Sequence, residues 1–383
     1  MIIPNNDLER VIEQLHQTSH MLVYEFAGAG VQALAWLHAV AGSSATILEA
    51  NDRYAQKSFI DVIGHKPDKF VSLEASEALA KQALKRAQYL KRDGTAALGV
   101  SCTASIATNR PKRGEHQCFI SVADELAVTS YALTFDKGIR TREEEETKVS
   151  TLVLKVISEV CNLIPPQLDL TVKDVLEKHH NSGDALTSLE HQDVQWLRFN
   201  NRGEVNTGQK LSDQLLLSGS FNPVHDGHLQ LVQLVAKRRE KDVCFELPLV
   251  NAAKATIDFE EAVQRARQFV GKGDIILSLS PLFYEKAILF PNSRFIVGAD
   301  TAVRLVQKRF YNDSETEMLA SFAAVRSAGC SFIVAGRLID DEFVTLDEIT
   351  LPEAIKDLFE VLPEEVFRVD LSSTEIRENK KNR

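Results

Sequence analysis

The sequence predicts an α/β protein with two domains, each a β-sheet covered by helices. Its 383 residues exceed the size at which a single hydrophobic core usually stops growing. Apolar runs of strand length alternate with amphipathic runs of helix length along the chain. This alternation is interrupted between about residues 165 and 210, where Pro165-Pro166 and polar turns occur. We therefore expect domains at residues 1–165 and 211–383, joined by a linker at residues 166–210 that contains a small hairpin.

The composition is that of an ordinary soluble globular protein, with 44% hydrophobic and 26% charged residues. The net charge of -10 argues against a nucleic-acid partner. The 5 cysteines are scattered and lack the close pairs of a zinc or redox motif, which predicts free thiols in a reducing compartment and no resident metal. No apolar run has the length of a bilayer span, and residues 1–20 lack the order of a signal peptide. A cytoplasmic protein without a membrane partner is expected.

The first domain is predicted to alternate helices with strands from its start. Apolar residues at helical spacing predict helices, and short apolar runs between turn residues predict strands. The expected helices cover residues 7–20, 31–40, 74–92 and 141–161, and the expected strands cover residues 21–26, 45–50, 97–104 and 117–123. Pro165 and Pro166 end the last helix, and residues 171–180 are expected to form a further one.

Particular residues accompany these elements: Glu25 with Gly30, Ala41-Gly42-Ser43-Ser44, Tyr54 with Lys57, Val100-Ser101-Cys102-Thr103, and Arg140 with Arg142. Together with the order of the elements, they resemble the C-terminal domain of CinA-type proteins, the nicotinamide-nucleotide amidase family. The resemblance covers about residues 8–163.

Two departures from that family bear on activity. The family carries a nucleophilic serine directly after the glutamate, but here the run is Glu25-Phe26. A phenylalanine cannot attack an amide, because nucleophilic catalysis needs a hydroxyl or a thiol. The positions of the family's glycine-rich loop correspond to residues 103–108, which contain no glycine. We therefore expect a domain that keeps the fold, together with a pocket or a homo-oligomer contact, and that has no amidase activity.

The second domain alternates strands and helices more clearly. Expected strands cover residues 214–219, 243–250, 275–279, 294–297, 331–334 and 366–369, and expected helices cover residues 227–239, 259–270, 301–309, 315–328 and 373–380. Nearly continuous apolar strands joined by helices predict a parallel sheet covered on both faces. Ligands of such sheets bind beyond the carboxyl ends of the strands.

The stretch that follows the first of these strands carries two histidines. It reads Gly219-Ser220-Phe221-Asn222-Pro223-Val224-His225-Asp226-Gly227-His228 and leads directly into an amphipathic helix. A helix N-terminus presents free N–H groups and partial positive charge, so it suits phosphate. Imidazole groups there would donate hydrogen bonds to phosphate oxygens that gain charge during transfer.

Polar residues follow three other strands of this domain. Asp300 comes after the fourth strand, where it would accept hydrogen bonds from a ribose or act as a helix N-cap. Lys254 follows the second strand and suits the phosphate of an acceptor. Leu371-Ser372-Ser373-Thr374-Glu375-Ile376-Arg377 follows the last strand, and Ser372 with Glu375 also satisfies a capping box.

The histidine motif together with residues 371–377 resembles the H-x-G-H nucleotidyltransferase superfamily, and within it the nicotinamide and nicotinate mononucleotide adenylyltransferases. Val297-Gly298-Ala299-Asp300-Thr301 matches a third motif, and the resemblance spans about residues 212–380. It implies a Rossmann-like, doubly wound parallel sheet of nucleotidyltransferase type.

This resemblance implies adenylyl transfer from ATP, with magnesium, to a mononucleotide acceptor. His225 and His228 would bind the phosphates and stabilise the transferring group. Backbone groups around Gly219, Ser220 and Phe221 would face the nucleotide, and Asp300 would face the ATP ribose. Ser373, Thr374 and Arg377 would hold the outer phosphates. The chain lacks the Arg-Thr-x-Gly-Ile-Ser-Thr pattern of cytidylyltransferases for glycerol and choline phosphates, which favours ATP over CTP. Two alternatives remain open: a nucleotidyltransferase with another phosphorylated acceptor, and a non-catalytic nucleotide-binding or scaffold protein.

Overall fold

The computed structural model describes residues 5–110, 113–208, 210–250, 257–339, 342–363 and 367. The chain divides into two compact units. Unit 1 comprises Met1–Thr187 and Asn201–Glu204, and unit 2 comprises Ser188–Asn200 and Val205–Arg383. Each unit is built on its own sheet with interleaved helices, as the sequence predicts.

Unit 1 contains five helices and six strands among its described residues, followed by the short helix α6 (Asp184–Glu190). The helices are α1 (Asn6–His16), α2 (Val31–Ala39), α3 (Gln56–Ile63), α4 (Leu73–Leu90) and α5 (Arg142–Val160). The strands are β1 (His20–Ala27), β2 (Ile47–Asp52), β3 (Ala96–Ser105), β4 (Gln117–Ala123), β5 (Ala127–Thr134) and β6 (Val175–Ser182).

The sheet of unit 1 is mixed, with strand order β2-β1-β3-β4-β5-β6. β2, β1 and β3 run parallel, and the remaining pairs are antiparallel. Helices α1, α2 and α5 pack their apolar residues against one face of the sheet. Small residues of α4, including Ala80 and Ala83, pack against the other. The core of unit 1 therefore lies on both sides of the sheet.

The helix expected at residues 171–180 is wrong, because this stretch contains β6. All eight residues of β6 pair in antiparallel register with β5. Val172, Val175 and Leu176 have the spacing of one helix face, which explains the error. The expected linker thus contributes a strand to the sheet of unit 1.

Unit 2 contains ten strands and five helices among its described residues. The strands are β7 (Trp196–Phe199), β8 (Val205–Asn206), β9 (Leu215–Ser218), β10 (Val243–Pro248), β11 (Ile275–Ser278), β12 (Arg294–Gly298), β13 (Ser331–Ala335), β14 (Arg337–Ile339), β15 (Glu342–Val344) and β16 (Phe359–Leu362). The helices are α7 (Asp226–Arg239), α8 (Phe259–Arg267), α9 (Phe283–Leu289), α10 (Ala299–Leu305) and α11 (Glu315–Ser327).

The main sheet of unit 2 has the order β16-β13-β12-β9-β10-β11-β7-β8. The six strands from β16 to β11 are parallel. Numbered along the chain from β9, they lie in the order 6-5-4-1-2-3, which is the doubly wound arrangement. The order in which the chain adds strands to the sheet reverses between the neighbouring strands β9 and β12. In such sheets this is the point at which ligands bind, beyond the carboxyl ends of the strands.

The hairpin expected between residues 194 and 205 is formed by β7 and β8, and it extends the main sheet antiparallel to β11. β16 lies before the strand expected at residues 366–369, which falls outside the described residues apart from Phe367. The expected helix at residues 301–309 is the shorter α10 followed by a 3-10 turn, Lys308–Phe310. No helix in the described ranges has both the length and the apolarity needed to cross a membrane.

Candidate functional site

The histidine motif and Asp300 lie at neighbouring strand ends. The motif begins where β9 ends, and Asp300 stands two residues after the end of β12. The two strands pair in parallel, with Leu217 opposite Ile296, so their carboxyl ends share one edge of the sheet. This edge lies at the reversal of strand order. The structure therefore brings together two of the predicted groups of site residues.

The turn after β9 is held from inside by Phe221. Its φ is +44°, in the left-handed region, and its ring is 1% exposed. The ring packs edge-on against Phe245 and Phe269 at centroid distances of 5.4 and 5.2 Å. A Cβ on Gly219 would lie 2.8 Å from this ring, so no other residue fits there without a shift. Phe221 is thus a core anchor of the turn, and the Asn222–Pro223 peptide that follows is cis.

Helix α8 and the residue after it brace the same turn from outside. Arg265 donates to the backbone oxygen of Ser220 at 2.8 Å. Gln268 accepts from the backbone N–H of Val224 at 3.0 Å and donates to the backbone oxygen of Phe221 at 3.2 Å. Three backbone groups of the turn are fixed in this way. The turn geometry therefore depends on residues more than 40 positions further along the chain.

His225 and His228 stand side by side where the turn becomes α7. His225 is the N-cap residue, and His228 lies in the first turn of the helix. Their rings are stacked, with centroids 3.7 Å apart and planes inclined by 29°. The backbone N–H of His225 points to Nδ1 of His228 at 3.3 Å. The stacking orders both imidazole rings at the helix start, which is where the sequence predicts the two histidines to lie.

His228 is neutral at physiological pH. Burial lowers the pKa of its side chain from 6.5 to about 3, with further contributions from the charges of His225 and Arg337. A neutral imidazole has one donor and one acceptor nitrogen. Because Nδ1 accepts from the His225 backbone, the proton lies on Nε2. His228 therefore offers a hydrogen-bond donor without carrying a full charge.

Asp300 lies in the first turn of α10, and the N-cap is Gly298. The alternative that Asp300 is the N-cap is therefore wrong. A Cβ on Gly298 would come within 2.6 Å of Asp300 Oδ1, so glycine leaves room for this carboxylate. Asp300 contacts Nη2 of Arg304 at 3.1 Å and Nη1 of Arg337 at 3.5 Å. The carboxylate is 33% exposed and within reach of a ligand.

A buried ion pair lies near the turn, on β10 and α9. Lys286 and Glu246 are 2% and 0% exposed, and Nζ lies 2.6 Å from Oε2. Ser278 donates to the other carboxylate oxygen at 2.5 Å. The backbone oxygen of Glu246 also accepts from the N–H of Gly219 at 3.0 Å. This group ties the start of the histidine motif to the strands beside it.

Several predicted site residues lie outside the described ranges. These are Lys254, Ser373, Thr374 and Arg377. Arg337, in contrast, was not predicted although the structure places it against Asp300. It follows β13 after a single glycine, and β13 pairs with β12. The pattern of a polar residue just beyond an apolar strand would have indicated it.

Several residues in the part of unit 1 that resembles CinA-type proteins make contacts within the unit. Glu25 is 3% exposed and pairs with Arg53, whose Nε lies 2.6 Å from Oε2. Phe26 is buried and packs against Tyr24. The Glu146 carboxylate accepts from the backbone N–H groups of Gly30 and Gln32, each at 3.0 Å, at the start of α2.

Residues 216–379 match the cytidylyltransferase-like family, so this part of the chain is a cytidylyltransferase-like domain of the nucleotidyltransferase superfamily. The predicted nucleotidyltransferase fold of the second domain is thereby confirmed. Comparison with curated proteins gave no match.

Solved structures similar to the N-terminal part are CinA competence-damage proteins. One is the competence/damage inducible protein CihA from Agrobacterium tumefaciens, with 18% identity, 41% of this chain and 98% of that one covered, and a TM-score of 0.34. Another is a competence or damage-inducible protein from Enterobacter asburiae, with 10% identity, 40% and 98% coverage, and a TM-score of 0.34. A third is competence damage-inducible protein A from Klebsiella pneumoniae, with 14% identity, 40% and 96% coverage, and a TM-score of 0.32.

Proposed function

We propose that unit 2 transfers an adenylyl group from ATP to a mononucleotide such as nicotinamide or nicotinate mononucleotide and releases pyrophosphate. The observation that carries this proposal is the stacked pair His225 and His228 at a helix start, at the reversal point of the sheet and at the same sheet edge as Asp300. Nucleotidyl transfer in general follows from the family match. The choice of ATP rests on the motif at residues 371–377 and on the missing cytidylyltransferase pattern.

In this reaction an oxygen of the acceptor phosphate attacks the α-phosphorus of ATP. A new P–O bond forms, the bond to the bridging oxygen breaks, and that oxygen leaves with pyrophosphate. Catalysis of such transfers consists mainly of positioning and charge stabilisation. The Nε2 proton of His228 would donate to a non-bridging phosphate oxygen, and the stacking would keep the His225 ring adjacent to it. Asp300 would accept from the ribose hydroxyls.

Magnesium is proposed as part of the ATP substrate, since it binds phosphate oxygens and neutralises their charge. Within the described ranges no group of three or more His, Cys, Asp or Glu side chains is placed to hold a metal ion. Asp300, the carboxylate at this edge, is engaged with two guanidinium groups.

The test is pyrophosphate release from ATP or CTP in the presence of magnesium and a panel of acceptors. The panel contains both nicotinamide-type mononucleotides, a pantetheine phosphate and a sugar phosphate. We expect release with ATP and one of the mononucleotides, and a loss of at least 100-fold in His228→Ala, in line with the usual contribution of a transition-state donor. The exposed His191 of unit 2 provides the matched control His191→Ala.

Release with CTP alone, or with a non-nucleotide acceptor alone, would reassign the substrate within the same reaction class. Tight ATP binding without release for any acceptor would indicate a nucleotide-binding or scaffold protein instead.

For unit 1 we propose a domain without amidase activity. Phe26 stands where a nucleophile would be needed and its side chain is buried. The start of α2, a natural anion site, is taken by Glu146. Unit 1 should therefore release no ammonia from nicotinamide mononucleotide. Ammonia release that persists when the site residues of unit 2 are substituted would show that unit 1 has a nucleophile at a position other than that of Phe26.

A further inference from the structure

The Asp300 carboxylate lies between two guanidinium groups of different origin. Arg304 stands one helical turn further along α10, and its Nη2 also contacts Thr301 Oγ1 at 3.0 Å. Arg337 comes from β14, 37 positions along the chain, and contacts the other carboxylate oxygen. Arg304 is thus a partner from the same helix as Asp300, whereas Arg337 contacts Asp300 from β14.

Arg337 also lies at the strand ends that carry the histidine pair. Gly298, its neighbour in space, ends β12, and Ala335 pairs with Gly298 in the sheet. The charge of Arg337 makes a small contribution to the lowered pKa of His228. The side chain is 42% exposed. Arg337 therefore lies at the same strand ends as both His228 and Asp300.

The contact between Arg337 and Asp300 is a weak one. The atoms are 3.5 Å apart, the contact is single rather than bidentate, and both groups are partly exposed. Ion pairs of this kind contribute little. A polyphosphate carries several charges and matches the planar guanidinium with paired oxygens. It would compete successfully with the carboxylate for Arg337.

We propose that Arg337 is a phosphate ligand that Asp300 holds in the absence of nucleotide, and that binding of a nucleoside triphosphate exchanges the partners. The phosphates take the Arg337 guanidinium, and Asp300 keeps Arg304 and becomes available to the ribose hydroxyls. This inference rests on the proposed function and adds to it a phosphate ligand and a coupling between phosphate and ribose recognition.

The exchange predicts opposite effects of two substitutions on the binding of inorganic tripolyphosphate, measured by calorimetry with the full-length protein. Arg337→Gln removes a charge-assisted contact and should weaken binding about tenfold or more. Asp300→Asn removes the competing carboxylate and should strengthen tripolyphosphate binding about two- to fivefold. The same Asp300→Asn substitution should weaken adenosine binding, because a neutral amide is a poorer acceptor for hydroxyl groups.

Arg326→Gln is the matched control. Arg326 is 43% exposed and pairs with an aspartate, Asp357, but it lies at the end of α11, next to the start of β13 and away from the strand ends that carry the site. It should leave tripolyphosphate binding unchanged. Arg337→Lys, which retains the charge without the planar fork, should recover part of the lost affinity.

Tripolyphosphate binding within twofold of wild type in both Arg337→Gln and Asp300→Asn, while the wild-type protein releases pyrophosphate, would overturn the exchange and leave the proposed function standing. Tripolyphosphate affinity that follows Arg337 and Asp300 as predicted, in a protein that releases no pyrophosphate with any acceptor, would support the exchange and reject the proposed reaction.

Discussion

The lowered pKa of His228 makes the stability of unit 2 depend on pH in a defined direction. Burial is the main cause of the lowered pKa, and the charges of His225 and Arg337 add to it. The folded-state pKa is about 3, below the ordinary 6.5. Between these values the unfolded chain binds a proton that the folded chain does not. The contribution of His228 to stability is therefore complete above pH 6.5 and falls as the pH is lowered towards 3.

The size of the effect follows from the two pKa values. Each pH unit within this window costs about 1.4 kcal/mol of the free energy of unfolding. Lowering the pH from 7.5 to 5 crosses about 1.5 units of it, so the loss assigned to His228 is about 2 kcal/mol. This is a large share of the stability of an ordinary domain.

The assay is urea unfolding of wild type and His228→Gln at both pH values. Trp196 lies on β7 in unit 2, and its fluorescence reports the unfolding of that unit. A Trp36→Phe background removes the tryptophan of unit 1 from the signal. Other titrating groups affect both proteins alike. The difference between the two pH dependences therefore isolates His228, and it should be about 2 kcal/mol.

Equal pH dependence in wild type and His228→Gln would refute the reasoning. A histidine proton resonance of His228 that titrates near pH 6.5 in the folded protein would do so independently. Both results would mean that the imidazole is charged in part at physiological pH and is not the neutral donor described above.

Three further predictions concern the support of the histidine motif. Gly219→Ala places a methyl group against the Phe221 ring and should cost about 1–3 kcal/mol in unfolding free energy, with reduced turnover. Gln268→Leu removes two hydrogen bonds to the turn and should lower kcat more than it raises KM, whereas Gln268→Glu keeps the acceptor and should lie between it and wild type. Lys286→Met leaves Glu246 buried without its cation and should lower the free energy of unfolding by about 3 kcal/mol or more. The double variant Lys286→Met with Glu246→Leu should lose less. Equal losses in the single and double variants would contradict this.

The strands of the parallel sheet were predictable because burial on both faces demands nearly continuous apolar runs. β9 to β13 all begin within one residue of the predicted positions. β16 is only four residues long and carries Glu360, so its run did not stand out. β6 was mistaken for a helix because it is an edge strand with mostly polar side chains. Its conformation is decided by pairing with β5 and not by its own pattern.

The site was predictable where chemistry is concentrated in one stretch of chain. The histidine motif and Asp300 follow strands directly, and the parallel order brings them to one edge. Gln268 was not predicted, because its role depends on the packing of α8 on the turn. Arg337 had a signal in the sequence, a polar residue just beyond an apolar strand, but only the pairing of β12 with β13 places it beside Asp300. Sequence patterns record local periodicity. They do not record which distant side chain completes a hydrogen bond.

In unit 1 the Glu146 carboxylate occupies the anion site that the start of α2 offers. Two backbone N–H groups and the hydroxyl of Ser150 are satisfied by a side chain that is fixed to a neighbouring helix. A tethered group competes at an effective concentration well above that of a dissolved metabolite. The N–H groups of Gly30 and Gln32 are thus satisfied within unit 1, and an outside anion would have to displace a tethered carboxylate to reach them.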